Sequence, residues 1–198
     1  MKGPKETPSI LAVDESIDRL QLLNQSLRAA GFTRIHLLGD TTDLLDKVMA
    51  LHPDVILMEV ESPSRDVLEQ LNLVRSRQPT AVLMVSQDPK AQSIQAAVAS
   101  GVCAYSVDGA SADRVRPAIE VAMATFESFK KLRGELAQAK TELSRHKRVD
   151  RAKHVLIEEK GMTEEQAHKA LRKLSMDRKR KLEDVADDII AFSNLFRD

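Results

Sequence analysis

The chain has 198 residues, with 30 Lys and Arg against 30 Asp and Glu, 42% hydrophobic residues, 3% aromatics and one cysteine. That length fits one large domain or two small ones with a real core, and the lone Cys103 excludes a disulfide framework or a cysteine-rich zinc site. No run is apolar for a membrane span and MKGPKETPS is no cleavable leader, so a soluble cytoplasmic protein without a membrane partner is expected; six aromatics disfavour a base-stacking sheet.

The zero net charge hides a segregation. Residues 1–125 hold 12 basic and 16 acidic side chains, whereas 126–198 hold 18 and 14. Within the second part, 145–181 carry 13 basic against 6 acidic residues, and 166–181 carry seven Lys and Arg with one Asp. An acidic front and a basic back point to two modules with different partners.

Residues 1–8 read as a disordered N-terminus. Short apolar runs then alternate with helical patterns. Ser9–Val13, Ile35–Leu38, Val55–Met58 and Ala81–Val85 read as strands buried on both faces, with a weaker fifth at Cys103–Val107. Between them, Ile17–Ala30 closes at Gly31, Thr42–Leu51 before Pro53, Asp66–Arg77 before Pro79 and Ala91–Ser100 at Gly101. This alternation predicts an α/β fold with a five-stranded parallel sheet and helices on both sides. The working crevice of such a sheet lies at the carboxyl ends of its strands. Asp14, Glu15, Glu59, Ser86 and Asp108 fall there.

From Val121 a helical pattern runs to Lys160. Phe129, Leu132, Leu136, Ala139, Leu143 and His146 recur at alternating spacings of three and four, a seam of about three heptads that predicts a coiled-coil homodimer. Packing of the seam on its own domain is the competing expectation, and Gly134 marks a flexible point within the helix. The helix continues through Val149, Ala152, Val155 and Leu156 and stops at Gly161. Thr163 with Gln166 forms a capping box. Ala167, Ala170, Leu171 and Leu174 share one face of the second helix, with Lys169, Arg172 and Lys173 opposite. A basic loop, DRKRK at 177–181, leads to a third helix with Val185, Ala186, Ile189 and Ile190 as its stripe. The sum is a small three-helix bundle with a basic ridge.

Residues 9–122 resemble the receiver domain of bacterial response regulators, a flavodoxin-like fold. The matching pieces are LAVDES at 11–16, PDVILMEVESP at 53–63, VLMVS at 82–86 and GVCAYSVDG at 101–109. The resemblance implies that Asp14 and Glu15 match the acidic pair that holds Mg²⁺, Ser86 the phosphate-sensing hydroxyl and Tyr105 the switch aromatic. Two positions depart from the family. The phosphoacceptor Asp is Glu59, and the phosphate-sensing Lys falls on Asp108. Glu59 sets its carboxylate a methylene too far out for an in-line transfer tuned to Asp, and Asp108 removes a cation where charge must be neutralised. The implied domain is a degenerate receiver serving as a protein-binding platform, with no cofactor and only a vestigial Mg²⁺ position at Asp14, Glu15 and Glu59. A pocket of four carboxylates without the motif's cation predicts either a metal or raised carboxylate pKa values. Mimicry of the phosphorylated state by Glu59 is the other reading of that substitution.

Residues 151–190 closely resemble the ANTAR domain, the RNA-binding output module of bacterial transcription antiterminators. The residues that carry it are Ala152–Lys153, Gly161 to Glu164, Ala167, Leu171–Arg172, Met176 and Val185–Ala186. ESPSRD at 61–66 and AYSVDG at 104–109 are similar to the nitrate- and nitrite-responsive group of that class. The resemblance implies binding of a leader mRNA with paired stem-loops, prevention of its terminator hairpin, and control by a ligand-sensing regulatory protein. Arg172, Lys173, Arg178, Lys179, Arg180 and Lys181 are the expected RNA contacts, with Lys153 and His168 beside them; a Tyr is common where this chain has His168. The expected layout is a receiver at 9–122, a coiled-coil linker at 123–148 and an ANTAR domain at 149–198. No catalytic residues are expected. A phosphorylation-switched regulator with RNA or DNA output is the alternative.

Overall fold

The structure is a computed structural model that describes residues 7–107 and 109–194. The chain divides into two compact units, 1–130 and 131–198.

The first unit holds five strands: β1 (Ile10–Val13), β2 (Ile35–Leu38), β3 (Val55–Val60), β4 (Ala81–Ser86) and β5 (Ala104–Ser106). All pair in parallel in the order β2-β1-β3-β4-β5. Four helices connect them: α1 (Ile17–Ala29), α2 (Leu44–Leu51), α3 (Arg65–Arg77) and α4 (Ala91–Ala99). A fifth, α5 (Ala112–Lys160), contributes its first residues here and the rest to the second unit. Alternate strand residues divide the core, as the two-residue period of a strand requires. Ile10, Ala12, Val55, Leu57 and Leu83 pack with Leu20, Leu23 and Leu27 of α1 and Val115 and Ile119 of α5. Leu11, Val13, Ile56, Met58, Val82 and Met84 pack with α2, α3 and Ala97 of α4 on the opposite face. The apolar runs of β1, β3 and β4 are thus strands covered on both sides, whereas Ile35–Leu38, expected to be buried on both faces, forms the edge strand β2 and leaves Leu37 45% exposed.

The expected α/β fold is what the structure shows, with differences at element ends that have local causes. Helix α2 begins at Leu44 instead of Thr42 because the Asp40 carboxylate accepts from the Thr42 backbone N–H and hydroxyl, at 2.8 and 2.7 Å. Those bonds offer the chain a turn in place of a helical first residue. Helix α5 begins at Ala112, well before Val121, and so contains Pro117. Burial of Val115, Ile119 and Ala122 against the sheet outweighs the proline's missing donor. Residues 1–6 lie outside the described part; at its start, the Thr7 and Thr33 hydroxyls meet at 2.8 Å and the Ser9 N–H donates to Asp54 at 2.7 Å.

In the second unit, α5 from residue 131 onward is joined by α6 (Glu164–Arg178) and α7 (Leu182–Asn194). The chain leaves α5 at Gly161, whose φ of 62° suits a residue without a Cβ. The capping box forms: the Thr163 hydroxyl accepts from the Gln166 N–H at 3.3 Å, and the Gln166 side chain accepts from the Thr163 N–H at 2.9 Å. Ala152, Leu171, Val185 and Ala186 are fully buried, with Leu156, Leu174, Ile189 and Ile190 around them. The expected basic loop at 177–181 is shorter, because α6 runs through Arg178. It ends on Lys179 in the left-handed region, where the Arg180 N–H reaches back to the Ser175 carbonyl at 3.1 Å. Along α5, Phe129, Leu132, Leu136 and Leu143 are each more than half exposed.

Candidate functional site

The strand order reverses between β1 and β3, so the loops leaving their carboxyl ends diverge and leave a crevice. Asp14 follows β1 and is buried, with 1% of its surface exposed. The Ser16 N–H donates to its Oδ1 at 2.7 Å, while the Ser16 hydroxyl caps α1. Arg19, in the first turn of α1, grips the same carboxylate as a fork: Nε donates to Oδ2 and Nη2 to Oδ1, both at 3.0 Å. Its Nη1 also stands 3.6 Å from Oε1 of Glu61, just past β3. The hydrogen bonds and charge of Asp14 raise the Arg19 pKa further above its ordinary value.

Glu59 lies in β3, half-buried. Burial, and then the Asp14 charge, push its carboxyl above the ordinary value, with Arg19 opposing. The sequence motif leaves this pocket a choice between a metal and raised carboxylate pKa values, with no protein cation from the motif itself. Glu59 shows the second effect, and Arg19 supplies the cation. A sequence signal for it existed: a cation in a helix's first turn faces the positive end of the dipole, so it needs a carboxylate partner nearby. Glu15 is exposed.

The raised Glu59 pKa has a sign. The folded state holds this proton more tightly than the unfolded state, so stability falls as pH rises from the ordinary value of 4.5 through the raised one. Glu59→Gln removes the penalty. Its thermal midpoint is expected to exceed the parent's by roughly 1–2 °C at neutral pH and to match it near pH 4. A midpoint no higher at neutral pH would contradict the assigned cause.

Ser86 ends β4 and is buried. Its hydroxyl donates to the Glu61 carbonyl at 2.9 Å and accepts from the Asp88 N–H at 3.2 Å. Tyr105 in β5 donates to the Asp88 carbonyl at 2.8 Å. The Asp88 carboxylate accepts from the Ser93 hydroxyl at 2.6 Å, the Lys90 N–H at 3.0 Å and the Ser62 hydroxyl at 3.1 Å, which hold its pKa below the usual carboxylate value. A chain of polar contacts therefore runs from Asp14 through Arg19, Glu61, Ser86 and Asp88 to Tyr105. Asp88 and Glu61 were not singled out by sequence, because their partners come from separate loops. Asp108 lies outside the described residues. Among the described residues, no group of three His, Cys, Asp or Glu side chains is placed to hold a metal.

In the second unit, the expected RNA contacts fall into two sets. His168, Arg172, Lys173, Lys179 and Lys181 are exposed, and none of them pairs with a carboxylate among the described residues. The others are tied. Lys153 is largely covered and sits 2.8 Å from Asp150 and 2.9 Å from Glu164, fastening α5 to the start of α6. Arg180 pairs with Asp188 of α7, and Arg178 stands 3.7 Å from the same carboxylate. Further cations, not selected from sequence, line a groove of about 470 Å³ between α5 and α7: Lys140, Lys147, Arg148 and Arg151. Of these, Arg148 is held by Asp187 at 2.9 Å.

No helix among the described residues is long and apolar enough to cross a membrane. Comparison with known families matches residues 10–120 to the response regulator receiver domain and 137–190 to the ANTAR domain. The transcriptional regulatory protein PdtaR of Mycobacterium tuberculosis is 29% identical over 181 residues, covering 91% of this chain and 88% of that protein. The nitrate regulatory protein of Klebsiella oxytoca is 38% identical over 69 residues, 35% of this chain and 17% of that protein. Among solved structures, the chemotaxis response regulator CheY4 of Vibrio cholerae superposes with a TM-score of 0.52 at 24% identity, covering 59% of this chain and 98% of that one. That likeness concerns the fold of the first unit. With a receiver sheet ahead of a three-helix bundle and both family matches in that order, the chain belongs to the response regulator receiver family and carries a C-terminal ANTAR domain.

Proposed function

We propose that this chain is a cytoplasmic transcription antitermination regulator that acts by binding rather than by catalysis. Its ANTAR domain binds a leader mRNA with paired stem-loops and keeps the terminator hairpin from forming. The observation that carries the reading is the set Arg172, Lys173, Lys179 and Lys181, exposed and without carboxylate partners among the described residues, in a chain whose charges balance overall. Unpaired cations on short helices suit phosphates flanking an RNA loop, and the scarcity of aromatics fits phosphate-anchored recognition. The working boundaries under this reading are a receiver-like domain at 9–122, a linker at 123–148 and the RNA-binding domain at 149–198.

The exposed seam of Phe129, Leu132, Leu136 and Leu143 supports a coiled-coil homodimer, which would present two RNA-binding domains to two stem-loops. With Glu59 in the acceptor position, regulation passes through a ligand-sensing protein that sequesters the regulator, and the receiver supplies a surface without phosphoryl chemistry. Nitrate or nitrite assimilation is the proposed physiological setting, supported by the similarity to the nitrate regulatory protein. The reading is tested by competition at fixed salt between a leader RNA bearing two stem-loops and a duplex DNA of equal length. RNA is expected to displace DNA, with affinity falling steeply as salt rises. Preferential binding of the duplex would overturn the RNA reading.

A further inference from the structure

We propose that Arg19 is the resident cation of the acidic pocket and takes the place that the receiver fold gives to a divalent metal, making this receiver indifferent to Mg²⁺. The residues present do not fit the ion. A Mg²⁺ site needs carboxylate oxygens free to face a small ion in near-octahedral geometry at about 2.1 Å. Here both oxygens of Asp14 are already committed, Oδ1 to the Ser16 N–H at 2.7 Å and to Arg19 Nη2 at 3.0 Å, Oδ2 to Arg19 Nε at 3.0 Å. Asp14 is the buried carboxylate of the set, with its side chain fully covered, so an ion entering the pocket would have to displace the guanidinium from it. Glu15 is exposed, and no metal-ligating cluster forms among the described residues.

The fork also does more than neutralise. Through Nη1 it reaches Glu61, whose carbonyl accepts from Ser86. A planar guanidinium with several donors can hold β1, α1 and the loop after β3 together. Because the bridge is covalently part of α1, its occupancy is independent of cation concentration. The pocket is then a permanent structural brace and not a site to be loaded before signalling. This inference rests on the first unit alone and stands or falls separately from RNA binding.

The test uses the full chain and Mn²⁺ as a paramagnetic probe, with free Mn²⁺ followed by electron paramagnetic resonance and the thermal midpoint measured with and without Mg²⁺. The parent is expected to show no saturable site at concentrations up to about 5 mM and a midpoint that moves by less than about 1 °C on adding Mg²⁺. Arg19→Gln is expected to gain one roughly millimolar Mn²⁺ site that a second change, Asp14→Asn, removes, and a midpoint that rises with Mg²⁺. A saturable site in the parent that Asp14→Asn abolishes would overturn the proposal, as would a folded Arg19→Gln chain with no Mn²⁺ site. If that variant does not fold, Arg19→Lys decides, since its single flexible ammonium can yield the carboxylate to an ion. A Mg²⁺-dependent midpoint there supports the proposal, and one as insensitive as the parent's contradicts it.

Discussion

Replacing Arg172, Lys173, Lys179 and Lys181 together by Gln is expected to weaken leader-RNA binding by about 10²- to 10³-fold at 0.15 M salt, with helicity unchanged. The physical basis is additive loss of phosphate contacts. Each cation is exposed and has no carboxylate partner among the described residues, so its removal strands no buried carboxylate there and leaves the bundle's packing intact. The slope of log affinity against log salt should become shallower by roughly 0.7 per lost contact if the RNA is single-stranded at those points. Lys153→Gln provides the contrast. Its ammonium joins Asp150 and Glu164, so the change should lower the midpoint of the second unit even without RNA. Fluorescence anisotropy with a labelled leader, alongside circular dichroism, separates the two effects. An unchanged affinity in the fourfold variant would remove this ridge from the interface and direct attention to Lys140, Lys147 and Arg151 along the α5 groove.

Leu171→Ala should unfold the second unit while sparing the first. Leu171 is fully buried, and among the described residues of the bundle the other fully covered apolar side chains are the smaller Ala152, Ala167, Val185 and Ala186. Truncating a buried Leu costs about 2–5 kcal/mol. A bundle of this size has a margin of only about 3–5 kcal/mol without help from a partner. The cost therefore approaches or exceeds what holds the three helices together. Thermal melts should lose the transition of the second unit and keep that of the receiver, with RNA binding gone at 37 °C. Met176→Ala, at a position 74% exposed, should change neither. Two intact transitions in Leu171→Ala would mean that self-association through α5 stabilises the bundle by several kcal/mol.

Element types were legible because the sheet's inner strands β1, β3 and β4 are buried on both faces. Val55–Met58 and Ala81–Val85 had to be nearly uninterrupted apolar runs, and Gly31, Pro53, Pro79 and Gly101 punctuate the intervening helices. The capping box at Thr163 and Gln166 was legible for a similar reason: both partners lie within one turn, so spacing alone specifies the bond. Element ends were less so, because they depend on side-chain bonds such as Asp40 to Thr42 and on burial that carries Pro117 inside α5.

For the sites, amino-acid order alone shows which residue types are available: an acidic pocket around Asp14 and Glu59, a hydroxyl at Ser86, and a surplus of cations near the C-terminus. Which of those charges are already neutralised depends on the fold. Arg19 proved to be the partner of Asp14, Lys153 the tie between α5 and α6, and Arg180 the tie to α7, while Arg172, Lys173, Lys179 and Lys181 stayed open to solvent. Charge composition is a property of the chain, but ion pairing depends on distances of a few ångströms between residues that the fold brings together. A net charge of zero could therefore conceal both a neutralised pocket and an unneutralised ridge.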